Sequence, residues 1–481
     1  MNDVRVRYAP SPTGHLHLGS LRTALYNWLF ARHSGGAFLL RIEDTDLERS
    51  KTEYTESIIE TLRWLAMEPD EEVVIQSQRK EVHLNVADRL LGEGKAYRCF
   101  CTPAELRERL GESALHEGGY TRYDEQCRER VYTDADKSKS YALRFKLPHD
   151  KQIIEFDDLI RGKVVFERDQ LDDFIIVRSD RTPMYNFVVV VDDAFMRISH
   201  VLRGEDHIPN TPKQILLYEA CGYSLPQFGH FSMILGPDGQ RLSKRHGASS
   251  VSEYKYAGFL ADALCNYLVR LGWSHGDQEI FTRDELITYF NLGSMSKKGA
   301  IFDPKKLEWV NGIYIRAYSP EKILDTIERD IEPGWKHLFK EWTEDTLLKA
   351  ISLYKERDKT LKEIIDDIQN LYQGPSAGIP TETSFNKNEA VTALYAVHEV
   401  LGKLESVSYE SVDQALKSLG VATGLSWPQL MKPLRIALLG KSSSPGVAPI
   451  IELLGRKETM YRIISFIECL KKGGNEALTN N

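Results

Sequence analysis

The first group of residues that could do chemistry is a turn near the start of the chain, at residues 9–19. This stretch is rich in Pro, Ser and Gly and lies between a strand-like run and a helix-like run. Such a turn directs backbone N–H groups and the positive end of a helix at one point, where phosphates bind. Gly14 and Gly19 let the backbone approach a ligand closely, and His17 adds a hydrogen-bond donor. The turn therefore predicts a phosphate site.

A second group lies more than 200 residues downstream, at residues 241–245, where the sequence reads Arg-Leu-Ser-Lys-Arg. Lys244 and its basic neighbours Arg241 and Arg245 would supply positive charge to the same phosphates from a loop. Either stretch alone is a weak signal, because a Pro/Ser/Gly turn before a helix is usually only a turn. Together, in this order and spacing, they indicate a nucleoside triphosphate site.

The two stretches resemble the HIGH and KMSKS signatures of class I aminoacyl-tRNA synthetases, with His-Leu-Gly-Ser at residues 17–20 for the first. Neighbouring motifs are similar to the bacterial glutamyl-tRNA synthetase family: RYAPSPTG at 7–14, RIEDTD at 41–46, RGEDH at 203–207 and PLR at 433–435. The resemblance covers almost the whole chain. Two positions depart from the generic signatures: Ser20 replaces a histidine, and Arg241 replaces a lysine but keeps its charge.

The resemblance implies a glutamate–tRNA ligase. Such an enzyme uses ATP with Mg²⁺ to form glutamyl-adenylate and passes glutamate to the 3′ terminal ribose of tRNA(Glu), releasing AMP and pyrophosphate. This chemistry depends on positioning and on stabilising charge at the phosphates. It implies catalytic roles for His17 and Lys244 at opposite ends of the triphosphate. The ATP-binding residues it implies are Gly14, His17, Gly19, Ser20, Arg241, Ser243 and Lys244.

Glutamate carries two carboxylates and one ammonium group, so its pocket should offer two cations and one anion. Arginine suits this purpose because its planar guanidinium grips a carboxylate with two hydrogen bonds. The resemblance places such arginines at Arg7 and Arg203, the anion at Glu43, and further contacts at Ser11 and Tyr185. Val189 departs from the family, since some members have an asparagine at this position, four residues after the tyrosine.

Three of the six cysteines fall within 29 residues, at Cys99, Cys101 and Cys127. In a reducing cytoplasm such a cluster favours metal ligation over a disulfide. Three thiolates are one short of a four-ligand zinc site, and the fourth ligand is open between Tyr123, Glu129 and His116. Some zinc-binding relatives show the same C-x-C…Y-x₃-C spacing, which favours Tyr123, whereas others place the ligand where this chain has Glu129.

The order of elements predicts an α/β fold with a doubly wound, Rossmann-type parallel sheet at the N-terminus. Residues 1–75 and 190–250 would form this catalytic domain, with the apolar run 187–191 as a buried parallel strand. Residues 76–189 read as an inserted α+β subdomain that carries the cysteine cluster, and the resemblance implies that it binds the acceptor end of tRNA. Residues 231–235 read as a further strand.

Beyond residue 250 the period is helical, which predicts an all-α C-terminal half. The resemblance implies that residues 251–318 form a helical stem-contact domain and residues 319–481 an all-helical anticodon-binding domain. The segment at residues 356–362 resembles a family segment in which an arginine, here Arg357, inspects an anticodon base. The alternative is that Arg357 is one solvated charge in a highly charged helix start.

Bulk properties fit this assignment. The chain has 481 residues, a net charge of −8 and no apolar run that could span a membrane, and its start shows no signal peptide. We expect a cytoplasmic protein, and the resemblance implies a monomer.

RNA binding requires a basic surface on one face of the protein and does not require a positive net charge. Basic segments that could contribute to one lie at residues 297–298, 305–306 and 432–435.

Three other functions fit parts of the pattern. A tRNA-modifying paralogue would lack the anticodon-binding half that this chain carries. A tRNA-binding protein without catalysis would not need His17 and Lys244. A nucleotidyltransferase acting on a small metabolite shares the first turn but would not need 160 helical residues beyond it.

Overall fold

The computed structural model describes residues 4–46, 48–110, 115–116, 120–121, 123–243, 245, 250–375, 385–442 and 444–472. They divide into two compact units. The first comprises Met1–Ser252 and Leu264–Asp303, and the second comprises Glu253–Ala263 and Pro304–Asn481.

The strands of the described chain all lie in the first unit: β1 Arg5–Tyr8, β2 Ala37–Ile42, β3 Val74–Ile75, β4 Ala96–Cys99, β5 Leu115–His116, β6 Tyr120–Thr121, β7 Ala142–Phe145, β8 Ile153–Asp158, β9 Gly162–Glu167, β10 Ile175–Val177, β11 His200–Gly204, β12 Gln227–Phe231, β13 Ile234–Leu235 and β14 Ala300–Ile301. The helices up to residue 289 are α1 Leu18–His33, α2 Thr52–Trp64, α3 Lys80–Gly92, α4 Pro103–Leu110, α5 Tyr185–Phe195, α6 Thr211–Cys221, α7 Val251–Tyr256, α8 Ala261–Arg270 and α9 Arg283–Tyr289.

A parallel sheet of β1, β2 and β3 forms the first half of the predicted fold. All residues of β1 and β2 except the first of each strand are buried, as expected for strands covered on both faces. The helix α1 follows β1 and crosses back to β2. The backbone N–H of Ser199 donates to the carbonyl of Arg5 at 3.0 Å, which places the start of β11 beside β1.

The second sheet has the order β11-β12-β8-β9, with β11, β12 and β8 parallel and β9 antiparallel. The strand β8 lies within the stretch predicted to be a separate insertion. It nevertheless extends the sheet of β11 and β12, because Asp158 of β8 pairs with Phe228 of β12. The remaining insertion strands β4, β7 and β10 form their own antiparallel sheet.

The strand prediction for residues 187–191 is wrong, because these residues lie inside the helix α5. All five are buried, and a helix buried on every side is apolar all round. A short apolar run therefore cannot distinguish a buried strand from a buried helix. The strand predicted at residues 231–235 is in fact the end of β12 followed by the separate strand β13.

The second unit is helical throughout its described residues. Its helices are α10 Pro304–Ala317, α11 Pro320–Asp330, α12 Glu344–Tyr354, α13 Leu361–Gln373, α14 Lys387–Lys403, α15 Tyr409–Thr423, α16 Trp427–Leu439 and α17 Val447–Lys471. In α13 the residues at helical spacing, Leu361, Ile364, Ile365, Ile368 and Leu371, are all buried. A parallel sheet in the N-terminal unit and a helical C-terminal half confirm the predicted fold class. None of the helices described is long and apolar enough to span a membrane.

Candidate active site and metal centre

The phosphate turn predicted from the sequence joins β1 to α1. His17 is the N-cap of α1, and its Nδ1 accepts a hydrogen bond from the backbone N–H of Ser20 at 3.2 Å. A Cβ atom on Gly19 would lie 3.3 Å from the His17 ring, so glycine lets the ring fold over the helix start. Ser20 also contacts the buried Tyr8, with their oxygens 2.7 Å apart. The turn thus fixes His17 at the positive end of α1.

The neutral imidazole of His17 carries its proton on Nε2, the ring nitrogen that does not bond the start of α1. Desolvation by the surrounding protein and the positive charge of Arg241 lower the pKa of His17, although the side chain is exposed in part. A neutral imidazole has one N–H, and Nδ1 is already an acceptor. Nε2 is therefore the donor, which is the property predicted for a phosphate contact.

The second signature stretch begins next to this turn. Arg241 influences the pKa of His17 and lies 3.7 Å from the carboxylate of Asp206. Arg245 pairs with Asp238 at 3.4 Å. Arg241, Ser243 and Arg245 are described, whereas Lys244 lies outside the described residues. The structure therefore brings Arg241 to His17 and leaves the role of Lys244 a prediction.

A chain of buried charges runs from the end of β1 to the end of β2. The Arg7 Nε donates to Asp193 Oδ1 at 3.0 Å, and Arg41 Nη1 donates to the same oxygen at 2.6 Å. Arg41 Nη2 in turn donates to Glu43 Oε1 at 3.0 Å. Burial raises the pKa of Glu43, although Arg41 opposes that rise. Arg7 and Glu43, two residues predicted to bind glutamate, are thus held by the same ion-pair chain.

Arg203 and Tyr185 join this group from the other side. Arg203 is buried, and its Nη2 donates to Thr211 Oγ1 at 2.9 Å, while its Nη1 has no hydrogen-bond partner among the described residues. Burial raises the pKa of Tyr185 to about 12, with Glu43 adding to the rise and Arg203 and Arg7 opposing it. Charges that shift one another's pKa lie close in space. The predicted arginines, glutamate and tyrosine therefore form one cluster.

Two further predictions concern the edge of this cluster. Ser11 is exposed in the turn, one residue after Pro10, whose carbonyl accepts the backbone N–H of Glu43 at 2.9 Å. That bond places Ser11 next to the end of β2. Val189 lies one helical turn after Tyr185 in α5 and is fully buried. An apolar side chain at this position cannot hydrogen-bond a substrate carboxylate.

The sequence analysis missed the residues that organise the cluster. Asp193 binds both Arg7 and Arg41, and its neighbour Asp192 accepts from His83, Arg79 and Gln76. His207 contacts the Tyr185 hydroxyl at 3.1 Å, and burial with nearby Arg203 lowers its pKa to about 4. The sequence does contain one signal for these two aspartates, because Asp192 and Asp193 directly follow a run of four valines. Buried acids require cationic partners.

The cysteine cluster forms a compact group of sulfur atoms. The Sγ atoms of Cys99, Cys101 and Cys127 lie within 4.8 Å of one another, and the Cys101 to Cys127 distance is 3.5 Å. Ligands about 2.3 Å from a tetrahedral zinc ion lie roughly 3.8 Å apart, so this spacing fits zinc. Arg109 donates to Cys101 Sγ at 3.4 Å, which would stabilise a thiolate.

Of the candidate fourth ligands, Tyr123 contacts the cysteine group. Its hydroxyl oxygen is 3.6 Å from Cys99 Sγ and accepts the backbone N–H of Cys127 at 2.8 Å. Glu129 is 79% exposed and pairs with Lys146 at 2.9 Å. The side chain of His116 lies outside the described residues.

Arg357 lies in the turn between α12 and α13 of the second unit. Its side chain is 42% exposed, and its Nε lies 3.4 Å from the carboxylate of Asp358. Asp358 is buried, and burial together with nearby Asp367 raises its pKa to about 7. The exposed guanidinium of Arg357 therefore lies within ion-pair distance of the buried Asp358 carboxyl group.

Comparison with known proteins agrees with both halves of this description. Residues 3–309 match the family described as "tRNA synthetases class I (E and Q), catalytic domain", and residues 329–467 match an anticodon binding domain family. The chain is 46% identical to the glutamate–tRNA ligase of Thermodesulfovibrio yellowstonii, over 97% of this chain and 99% of that protein. It is 44% identical to the glutamate–tRNA ligase of Geobacter sulfurreducens, over 96% and 98% of the two chains.

Solved structures give the same result. A glutamate tRNA ligase from Elizabethkingia meningosepticum, crystallised in complex with its amino acid, is similar with a TM-score of 0.83 and 34% identity, over 98% of this chain and all of that one. The glutamate-tRNA synthetase of Elizabethkingia anophelis follows with a TM-score of 0.81, again at 34% identity, over 97% of this chain and all of that one. The chain therefore belongs to the class I tRNA synthetases of the glutamate and glutamine type, as a member of the glutamate–tRNA ligases.

Proposed function

We propose that the protein joins L-glutamate to tRNA(Glu) at the expense of ATP. The observation that carries this proposal is a buried cluster of three cations and two anions, which leaves one net positive charge. Its members are Arg7, Arg41, Arg203, Glu43 and Asp193. Glutamate has the complementary charges, two carboxylates and one ammonium group. Glutamate as a whole carries one net negative charge, and a substrate without it would leave the buried net positive charge of the cluster uncompensated, which is costly.

The reaction has two steps. A carboxylate oxygen of glutamate attacks the α-phosphorus of ATP, the bond to the β-phosphate breaks, and pyrophosphate leaves. A hydroxyl of the 3′ terminal ribose then attacks the glutamyl carbonyl, and AMP leaves. In this proposal His17 and Lys244 stabilise charge on the phosphates, and Mg²⁺ accompanies ATP. Gly14, Gly19, Ser20, Arg241 and Ser243 complete the ATP site.

Amino-acid binding follows from the charge cluster. Arg203 offers to a carboxylate its Nη1, which has no hydrogen-bond partner in the part of the chain that the structure describes. Arg7 offers a second guanidinium held in place by Asp193. Glu43 is placed to accept the ammonium group, with Ser11 and Tyr185 as further polar contacts. Arg41 keeps Glu43 in position without itself having to touch the substrate.

Aminoacylation of purified tRNA(Glu) and tRNA(Gln) by the full chain tests this function. We expect glutamate to be attached to tRNA(Glu) in an ATP-dependent reaction, with ATP–pyrophosphate exchange measured when glutamate and tRNA are both present. Absence of both activities in folded protein would contradict the proposal. Charging of tRNA(Gln) at an equal rate would show that the enzyme does not discriminate.

A structural zinc ion is part of the same proposal. The donor set of Cys99, Cys101 and Cys127 with Tyr123 suits zinc, which prefers thiolates in closed structural sites. Such an ion would stabilise the region around β4 and would take no part in the chemical steps.

We further propose that Arg357 reads an anticodon base of tRNA(Glu). Unpaired bases are recognised through hydrogen bonds to their edges, and an exposed arginine held by an acid suits that purpose. The proposed setting is a monomeric enzyme in the cytoplasm, where tRNA is charged.

A further inference from the structure

Three buried polar residues lie side by side on neighbouring strands of the second sheet. Arg203 is on β11, His230 is paired with it on β12, and Asp158 ends β8, the next strand along. All three are buried, His230 completely. Only Arg203 belongs to the glutamate-binding residues, so His230 and Asp158 form a layer behind the pocket.

The contacts in this layer are short and continuous. Arg203 Nε donates to His230 Nε2 at 3.2 Å, and His230 Nδ1 lies 2.5 Å from Asp158 Oδ2. The other carboxylate oxygen, Asp158 Oδ1, accepts the backbone N–H groups of Ile160 at 2.9 Å and Arg161 at 2.8 Å. Asp158 is thus fixed by the backbone of its own turn.

The contact with Arg203 selects one tautomer of His230. His230 Nε2 also lies 3.2 Å from Thr211 Oγ1, a hydroxyl that can donate or accept and therefore favours neither tautomer. A guanidinium has donors and no acceptor, so the Nε2 atom that faces Arg203 must be unprotonated. Burial lowers the pKa of His230, which keeps the imidazole neutral with a single N–H. That N–H is therefore on Nδ1 and points at the Asp158 carboxylate.

We propose that Asp158 and His230 are positioning residues that select this tautomer and thereby aim Arg203 at the carboxylate of glutamate. The inference rests on the proposed function of Arg203. With Nε held by His230 and Nη2 by Thr211, the guanidinium plane is fixed and Nη1 is the donor left for the substrate. A strand of the predicted insertion, β8, therefore contributes to amino-acid recognition in the catalytic sheet.

The replacement Asp158→Asn tests the tautomer directly. The N–H groups of Ile160 and Arg161 hold the amide oxygen at the Oδ1 position, so the new NH₂ group faces His230 Nδ1. His230 Nδ1 must then accept a hydrogen bond, so the imidazole proton moves to Nε2. The N–H groups of His230 Nε2 and Arg203 Nε would then face each other, and neither could accept. We expect the Michaelis constant (KM) for glutamate to rise about tenfold or more, with the KM for ATP changed less than about twofold.

Two replacements of His230 separate its two contacts. The amide of His230→Gln reaches the Nε2 position and can accept from Arg203, whereas that of His230→Asn ends near Nδ1 and cannot. We expect His230→Asn to raise the KM for glutamate about as much as Asp158→Asn does. We expect His230→Gln to stay within about threefold of wild type, because a side-chain amide supplies the acceptor. The double variant Asp158→Asn with His230→Gln should recover most of the loss, because no imidazole tautomer remains to be selected.

Asp157→Asn is the matched control, since Asp157 is the exposed neighbour on the same strand. Charging of tRNA(Glu) by wild type and by this control tests the proposed function by itself. Selective ¹⁵N labelling of histidine reports the His230 tautomer without any activity, and its signal is identified by loss in His230→Gln. Protonated Nδ1 in wild type and protonated Nε2 in Asp158→Asn are expected.

The outcomes separate a positioning role from a structural one. A structural role predicts lower thermal stability and equal losses for glutamate and ATP, with no recovery in the double variant. That pattern, or an unchanged tautomer in Asp158→Asn, would overturn the inference. Asp158→Asn could shift the His230 proton as expected while the wild-type protein fails to charge tRNA. The hydrogen-bonded layer would then exist without its proposed purpose, and the inference as stated would be overturned.

Discussion

At the scale of single residues, the pocket depends on charges that are buried before any substrate arrives. Two guanidinium groups, Arg7 and Arg41, share one oxygen of Asp193, and Arg203 has one donor without a partner among the described residues. Burying charge is costly unless geometry and hydrogen bonds compensate. The substrate would complete that compensation, so each arginine should matter more for glutamate than for ATP.

Replacing Arg203 tests this expectation. Arg203→Ala removes one cation from the pocket and should lower kcat/KM for glutamate about tenfold to a hundredfold, since a hydrogen bond to a charged group is lost. The KM for ATP should change little. Arg178→Ala, at an exposed position, is the control. An effect confined to the KM for ATP would argue against a substrate-carboxylate role.

Lys244 tests the phosphate site. Lys244→Ala removes a positive charge from the departing pyrophosphate and should slow glutamyl-adenylate formation by roughly two to three orders of magnitude, by analogy with a lost oxyanion donor. Thermal unfolding should be unchanged, and Lys163→Ala, an exposed lysine on β9, should have wild-type activity. Activation of glutamate at a near wild-type rate by Lys244→Ala would show that the assigned role is wrong.

At the scale of elements, the cysteine group joins the end of β4 to the segment around residue 127. Three sulfur atoms and the Tyr123 hydroxyl converge there, whereas the paired and exposed Glu129 points to Lys146. A metal would therefore tie together stretches that share little regular structure.

Metal analysis of protein purified without chelator tests this arrangement. We expect about one zinc ion per chain, and weaker zinc binding in Tyr123→Phe but not in Glu129→Gln, because the tyrosine oxygen lies 3.6 Å from Cys99 Sγ whereas the glutamate pairs with Lys146. Three freely titrating thiols and no zinc would contradict the site. Zinc loss in Glu129→Gln alone would identify the glutamate as the ligand.

At the scale of the whole molecule, the chain carries a catalytic domain and an anticodon-binding domain in two compact units. Selection of tRNA therefore need not be decided at the site where glutamate reacts. Arg357, in a turn of the helical unit, is the residue proposed for that selection.

Charging of two purified tRNAs measures this selection. Arg357→Gln should raise the charging of tRNA(Gln) relative to tRNA(Glu) about tenfold or more, since a lost base contact of this kind is worth roughly 1–3 kcal/mol. Lys359→Gln changes a charge in the same turn and should leave the ratio unchanged. An unaltered ratio in Arg357→Gln would place discrimination at another residue.

The class of the fold could be predicted from the sequence alone. Four of the residues predicted to bind glutamate, Arg7, Glu43, Tyr185 and Arg203, lie in one cluster, while their roles stay predictions. Phosphate turns, arginines next to strand ends and paired cysteines are local patterns, so they are visible without coordinates. The sequence could not distinguish the buried helix α5 from a strand, because burial on all sides removes the periodicity that identifies either element.

Which buried groups share partners depends on the tertiary structure. Asp193 meets Arg7, which lies 186 residues away in the sequence, and Asp158 meets His230 at a separation of 72 residues. Sequence spacing carries no information about such pairs, because they depend on which strands become neighbours. The strand β8 joins the sheet of β11 and β12 through tertiary packing, and that placement brings Asp158 behind the residues that bind glutamate in the proposed function.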